Sequence, residues 1–600
     1  MKKHISIFHR LRKEFYLFIP ALKKILGIKG YILLLCVGAG VISGLSAVLL
    51  KNFTHSWHDL LYGAVSKLPG AVWIYPALPA LGIFLCILIV KLFFHKRPYE
   101  KSLAGVITST TNGTSDLPRS KMFSHIITSG LAVGAGASAG LEAPIALTGS
   151  AIGSNLAKLF HLGRESRTLL LACGGGAGIS AIFNSPVAGA LFACEILLPS
   201  FSVPALVPLL MASASAAVVS ELCNSHSAFI QLNTGWTVEN VPCYMLIGLG
   251  CGVISAFMIK FSAALAHLTE HYSNVWIKGV YGCIVLYFFF LLFPALKGEG
   301  YSFITDLIRG NESTVTEGVL HPLFTNPWTV IALIGVLVLL KPLVSALSVE
   351  SGGDGGIFGP SLFTGALLGY FLSKILNMAG IAVIDPVNCV AVGMGGVLAG
   401  VMHAPLTGMF LIAELTGGYK LFVPLMIVVA ISSYISKRLV KYNVYKTMIV
   451  MKGGVPEKKD DEVLLDSRSV EDLTENDYVL LREHDTLRTL LQGVMQSKRS
   501  IFPVVSEKGI LLGVIRMNTI RKFILSQELY DVILVYDIME DTGPILTAGD
   551  SLNDAALLFD RLGVNQLPVV SSGGRYRGFI AKNQVYDNYR KMLHKKQDLF

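Results

Sequence analysis

Glu142 is a single carboxylate set among glycines and apolar residues, in the run Gly140-Leu141-Glu142-Ala143-Pro144. Gly134 and Gly136 lead into it, and a run of small and apolar residues follows from Ile145. Proline is well placed in the first turn of a helix, where its missing N–H costs little. The spacing therefore predicts a helix that begins at or beside Glu142. An ionisable group at membrane depth is costly and marks an ion or substrate path. A plain helix cap is the other reading, so what else converges on Glu142 decides its role.

A second stretch complements it: Ser351-Gly352-Gly353-Asp354-Gly355-Gly356-Ile357-Phe358-Gly359-Pro360. The glycines let the chain turn sharply, and Pro360 opens a helix whose leading N–H groups belong to Ile357, Phe358 and Gly359. Unpaired N–H groups at the positive end of a helix dipole bind an anion without any full positive charge. That suits a permeant anion, which must bind and also leave. A phosphate cradle would need Gly-Lys-Ser/Thr after the glycines, and none follows. Beside such a site, Glu142 is a tethered anion that competes with the mobile one and withdraws when protonated, as a gate or proton carrier. An intramembrane acid–base enzyme would need a second catalytic partner near Glu142. No paired Asp, His-x-x-x-His or Ser/Lys arrangement stands there, so no enzymatic activity is expected.

The chain that positions these motifs has 600 residues, 52% hydrophobic and 15% charged, with mean hydropathy +0.59. Soluble domains carry about 25% charged residues, so this is the composition of a polytopic α-helical membrane protein. The net charge is +10, and residues 1–30 hold eight Lys/Arg against one acid, Glu14. The positive-inside rule places this segment in the cytoplasm. With Ile5, Phe8, Leu11, Phe15 and Phe18 among the bases, it reads as an interfacial amphipathic segment and not as a cleaved signal. No nucleic-acid partner is expected; the lipid bilayer is. The nine cysteines (Cys36, Cys86, Cys173, Cys194, Cys223, Cys243, Cys251, Cys283, Cys389) form no C-x-x-C pair. Neither a disulfide framework nor a metal site is expected.

Apolar segments at 31–50, 72–94, 204–221, 243–266, 277–296, 327–348 and 421–436 alternate with Gly-rich stretches at 126–160, 168–198 and 360–416. The latter are too interrupted for simple spanning helices. Broken helices in matching positions of two halves point to a transport site. The halves match: Pro186-Val187-Ala188-Gly189, with Glu195 nine residues after its proline, pairs with Pro405-Leu406-Thr407-Gly408 and Glu414. Upstream, Gly140-x-x-x-Pro144 pairs with Gly356-x-x-x-Pro360, at proline spacings of 42 and 45 residues. This predicts an internal duplication in which all four helix starts point to one central site. The match alone does not fix whether the halves are parallel or inverted.

After Tyr445 the composition changes. Residues 451–470 read as a linker, and 471–600 as a soluble α/β module that repeats with an offset of 65: Thr486-Leu487 with Ser551-Leu552, Phe502-Pro503-Val504-Val505 with Leu567-Pro568-Val569-Val570, Gly513 with Gly578. Bases at Lys437, Arg438 and Lys441 place this tail in the cytoplasm as well, which implies an even number of crossings; a plasma (inner) membrane location is expected.

These motifs together resemble those of CLC chloride channels and proton/chloride antiporters. Residues 140–144 are similar to the family's G-[K/R]-E-G-P motif, residues 356–360 to its G-x-F-x-P motif, and residues 478–530 and 540–595 to paired CBS domains. The resemblance implies a CLC-type inverted repeat over 31–450, with halves at 31–225 and 240–450, followed by a cytoplasmic tandem CBS module. It also implies a homodimer with one pore per subunit. Carried over by position, Glu142 is the gating glutamate, and the N–H groups of Ile357 and Phe358 with the Tyr445 hydroxyl are the anion ligands. Three departures matter. Leu141 and Ala143 replace the usual base and glycine. The family's anion-binding serine is not recognisable, and the overlay places Ala104 there. The proton-relay glutamate is replaced by Ile196, next to a structural Glu195 that has Glu414 as its counterpart. An aliphatic side chain carries no proton, so passive chloride conduction is expected over the alternative, a proton-coupled chloride or fluoride antiporter. In the CBS pair, the ribose-binding acid's positions hold Thr519 and Gln584, so a dimerising or regulatory role is expected, and no cofactor beyond an adenine nucleotide comes into question.

Overall fold

The computed structural model describes residues 2–94, 99–199, 203–223, 235–270, 274–309, 326–454, 465 and 468–598. It divides into two units, Met1–Glu457 and Lys458–Phe600. Among the described residues of the first unit, eight helices are long and apolar enough to cross a membrane. The basic start of the chain lies in one long helix, Lys2–Val65, bent at Gly27 (φ 68°, ψ 172°). The side chains of Ile5, Phe8, Leu11, Phe15 and Phe18, assigned above to an interface, lie outside the described residues.

The duplication is visible in how the broken helices pack. The Glu142–Leu159 helix crosses the Arg164–Phe183 helix at Gly149 and Gly174, where a Cβ on Gly149 would lie 2.1 Å from the Gly174 carbonyl oxygen. The Phe358–Met378 helix crosses the Pro386–Met402 helix at Gly365 and Gly393, with the same clearance of 2.2 Å. Any larger residue at these crossings would push the backbones apart. Each second helix then ends on a left-handed residue, Asn184 (φ 54°) or His403 (φ 53°). Two residues later a proline starts the short Pro186–Phe192 or Pro405–Leu415 helix. The two halves meet head to head: Gly140 and Gly356 form an antiparallel bridge, with N–H···O distances of 2.8 and 2.7 Å in the two directions. The matched segments thus run in opposite directions, which gives the inverted arrangement.

The proline helices correct one expectation. All four helix starts were expected at one central site, but only two of them meet there. The N-terminus of Pro186–Phe192 is closed by Glu414, which accepts from the N–H groups of Val187 (3.0 Å) and Ala188 (2.9 Å). The N-terminus of Pro405–Leu415 is closed by Glu195, which accepts from Leu406 N–H (3.1 Å), Thr407 N–H (2.8 Å) and the Thr407 hydroxyl (2.7 Å). Each half caps the other half's helix, and neither start is left to hold an anion. Hydrogen bonds to charged groups contribute about 1.5–3 kcal/mol each. Glu195→Ala or Glu414→Ala is therefore expected to lower the unfolding free energy in detergent by about 3 kcal/mol or more, read as a clearly lower unfolding midpoint. The glutamine variants, which keep one acceptor, should lose less. Equal loss in the Ala and Gln variants would contradict the capping role.

The second unit holds two three-stranded sheets, β1–β2–β3 and β4–β5–β6, where β1 is Leu481–Arg482, β2 Ile501–Val505, β3 Leu511–Arg516, β4 Leu546–Thr547, β5 Gln566–Val570 and β6 Tyr576–Ala581. In each, the first strand is parallel and the third antiparallel to the middle one. The registers are copies: Ile501 faces Arg516 as Gln566 faces Ala581, with a bulge at Val504/Val505 and at Val569/Val570. The repeats exchange edges. Glu475, at the start of the first repeat, pairs with Phe579 of β6, and Glu540, at the start of the second, pairs with Val514 of β3. Neither repeat completes its sheet alone. Separate buried cores, around Phe502 and Ile515 and around Phe559 and Ile580, fill the two copies.

Candidate anion site and gate

The Gly140–Gly356 bridge makes Leu141 and Ile357 the N-caps of the Glu142–Leu159 and Phe358–Met378 helices, side by side. The prolines that marked these helices, Pro144 and Pro360, occupy the third position of each. Glu142 is buried, and its Oε2 accepts from the Gly359 N–H at 3.3 Å. Its carboxylate therefore reaches across from its own helix to the N-terminus of the other. Close approach depends on Gly140, where a Cβ would lie 2.0 Å from Glu142 Oε2 and 2.8 Å from the Gly359 nitrogen.

Beside the Gly140–Gly356 bridge lies a cavity of about 1120 Å³ lined by Ala104, Gly355, Gly356, Ile357 and Tyr445, among others. Tyr445 is buried, and its hydroxyl has no hydrogen-bond partner among the described residues. An unpaired buried hydroxyl is costly, and here it lines the same cavity as Ile357. Phe358 is buried among aromatic rings, with centroids 5.7 Å from Phe183 and 6.2 Å from Phe192. Ile196 is buried in a π-helical turn, Ala193–Leu197, and does not line the cavity.

Ala104, the overlay position for the anion-binding serine, begins the Ala104–Thr111 helix and lines the cavity, but it brings no hydroxyl. Ser102, two residues earlier, also lines the cavity and carries a hydroxyl. Ser102 Oγ accepts from the Ala104 N–H at 3.2 Å and lies 3.5 Å from Met448 Sδ, one turn beyond Tyr445.

Other residues of the site were not singled out from the sequence. The Tyr301 hydroxyl donates to Glu142 Oε1 at 2.6 Å. Two residues before it, Glu299 Oε1 accepts from the Leu141 N–H at 3.1 Å. The segment carrying both is pinned by Lys341, a buried lysine whose Nζ donates to the carbonyls of Leu296 (3.0 Å) and Gly298 (2.8 Å) and lies 4.5 Å from the Phe363 ring centroid. Lys341 had a readable signal, since it interrupts an apolar run. The glycine loop before Ile357 has an anchor of its own. Asp354 Oδ2 accepts from His125 Nδ1 (2.8 Å), the Tyr99 hydroxyl (3.1 Å) and the Thr128 hydroxyl. His125 and Asp354 are fully buried. This cluster fixes the loop three residues ahead of the N–H of Ile357.

The model of the family described as voltage gated chloride channel matches residues 82–437, and CBS domains match residues 470–526 and 535–589. The chain is 27% identical to the chloride channel protein CLC-e of Arabidopsis thaliana, over 66% of this chain and 58% of that one. It is also 27% identical to the H(+)/Cl(-) exchange transporter ClcA of Vibrio vulnificus, over 49% of this chain and 62% of that one. It thus spans about three-fifths of these relatives' own length. In fold it is similar to a eukaryotic CLC transporter structure, with TM-score 0.58, 19% identity, and coverage of 92% of this chain and 97% of that one. With a match over more than half of its length, the chain belongs to the voltage-gated chloride channel (CLC) family and carries two CBS domains after its membrane part.

Proposed function

We propose that the protein carries small anions, chloride first, past the start of the Phe358 helix, with Glu142 as gate, Ile357, Phe358 and Tyr445 as ligands, and passive conduction as its mode. One observation carries the gate: the Glu142 carboxylate is hydrogen-bonded to Gly359 N–H, a group that an arriving anion would use. Ile196 supports passive conduction, because it holds no proton at the position where coupled relatives place a relay. A homodimer in the plasma (inner) membrane with cytoplasmic termini fits the basic first 30 residues. The CBS pair serves dimerisation or regulation. Thr519 and Gln584 are already engaged, by Glu540 and Glu475 respectively, which disfavours an adenine nucleotide there.

Proton-coupled chloride or fluoride exchange is the second reading. Its support is the similarity to an H(+)/Cl(-) exchange transporter. Reconstitution in liposomes under a chloride gradient, with chloride and pH followed together, separates the two. Conduction is expected to move chloride without driving protons uphill. Uphill proton movement would overturn the passive mode while leaving the anion site in place.

A further inference from the structure

We infer that Glu299 is a second, outer gate carboxylate acting in series with Glu142. The inference rests on the gate reading above and extends it to a residue outside the family's motifs. Two helix starts meet at the Gly140–Gly356 bridge, and each has an N–H taken by a tethered carboxylate. Glu142 holds Gly359 of the Phe358 helix, and Glu299 holds Leu141, the cap of the Glu142 helix itself. An anion passing between these starts meets both. The two differ in exposure: Glu142 is buried, whereas Glu299 is partly open to solvent. Solvent therefore reaches Glu299 first.

The segment that carries Glu299 is built to hold it in place. Gly298 N–H donates to the Gly136 carbonyl at 2.9 Å, and Lys341 binds the carbonyls on both sides of Lys297. Tyr301, on the same segment, reaches the Glu142 carboxylate. One short stretch thus contacts both Leu141 and Glu142 at the start of the Glu142 helix, so a shift of Glu299 is transmitted to Glu142 through Tyr301. The charged and titratable groups around Glu299 are Glu142, Lys341, Lys51 of the long N-terminal helix, and Tyr301. Protonation weakens a carboxylate's hold on its backbone N–H by removing the charge, so each gate opens as pH falls.

Chloride efflux from liposomes bearing the full chain tests this, measured between about pH 4 and about pH 8, the range across which carboxylates protonate. Glu142→Gln is expected to raise flux yet leave part of the pH dependence. Glu142→Gln with Glu299→Gln should flatten the profile and raise flux at neutral pH by about tenfold over Glu142→Gln alone, the worth of one charge-assisted hydrogen bond. A double variant indistinguishable from Glu142→Gln would overturn the role of Glu299. Glu142→Gln behaving as the unmodified protein would instead sink the gate reading beneath it. Should Glu299→Gln not fold, Glu299→Cys in a Cys223→Ser background serves. An anionic thiol reagent is expected to restore the block and a neutral one of similar size is not, and equal effects would overturn the inference.

Discussion

His125→Leu is expected to be the most destabilising single change in the membrane unit, by about 3–5 kcal/mol, because it strands a buried carboxylate. Asp354 has no exposed surface, and its Oδ2 takes three donors, of which the His125 ring at 2.8 Å is the one able to carry charge. Its other oxygen, Oδ1, has no hydrogen-bond partner among the described residues. The damage should also reach the anion site, since Asp354 anchors the loop that delivers Ile357. Unfolding in detergent should show the lowered midpoint. His125→Leu with Asp354→Leu should recover a large part of it, because removing both partners leaves no stranded charge. A double variant as unstable as the sum of the singles would mean that the pair is not the source of the effect.

Glu142→Gln should give the largest functional change. Glutamine keeps the size of the side chain but loses its charge, so it no longer competes on equal terms for Gly359 N–H. Charge-assisted hydrogen bonds are roughly twice as strong as neutral ones. An anion at the start of the Phe358 helix should therefore bind about tenfold more tightly or better once the carboxylate is gone. Flux at neutral pH should rise, and most of its increase on acidification should vanish. Tyr301→Phe should shift flux in the same direction by less, because it removes one 2.6 Å donor to the gate and leaves the charge.

The helix starts at Glu142 and Phe358 were legible because their signals are local: glycines, then a proline within the first turn. The CBS repeat was legible because a constant offset of 65 carries the same strands and turns. What the sequence does not display is partnership across distance. Tyr301 reaches Glu142 over 159 residues, and His125 reaches Asp354 over 229. No periodicity links such pairs, since only the folded halves bring them together. Glu195 and Glu414 were recognisable as counterparts, yet their exchange of caps between halves was not, because like residues in a repeat carry no mark of which helix they close.

Chloride binding measured together with proton uptake tests the central claim most directly. Titration calorimetry of the purified protein in buffers of different ionisation heat gives both quantities at once. If the Glu142 carboxylate and the anion contend for Gly359 N–H, chloride binding draws protons onto the protein by linkage. Glu142→Gln should then bind chloride more tightly and lose most of that uptake. Chloride binding without proton uptake in the unmodified protein, with affinity unchanged in Glu142→Gln, would contradict the account.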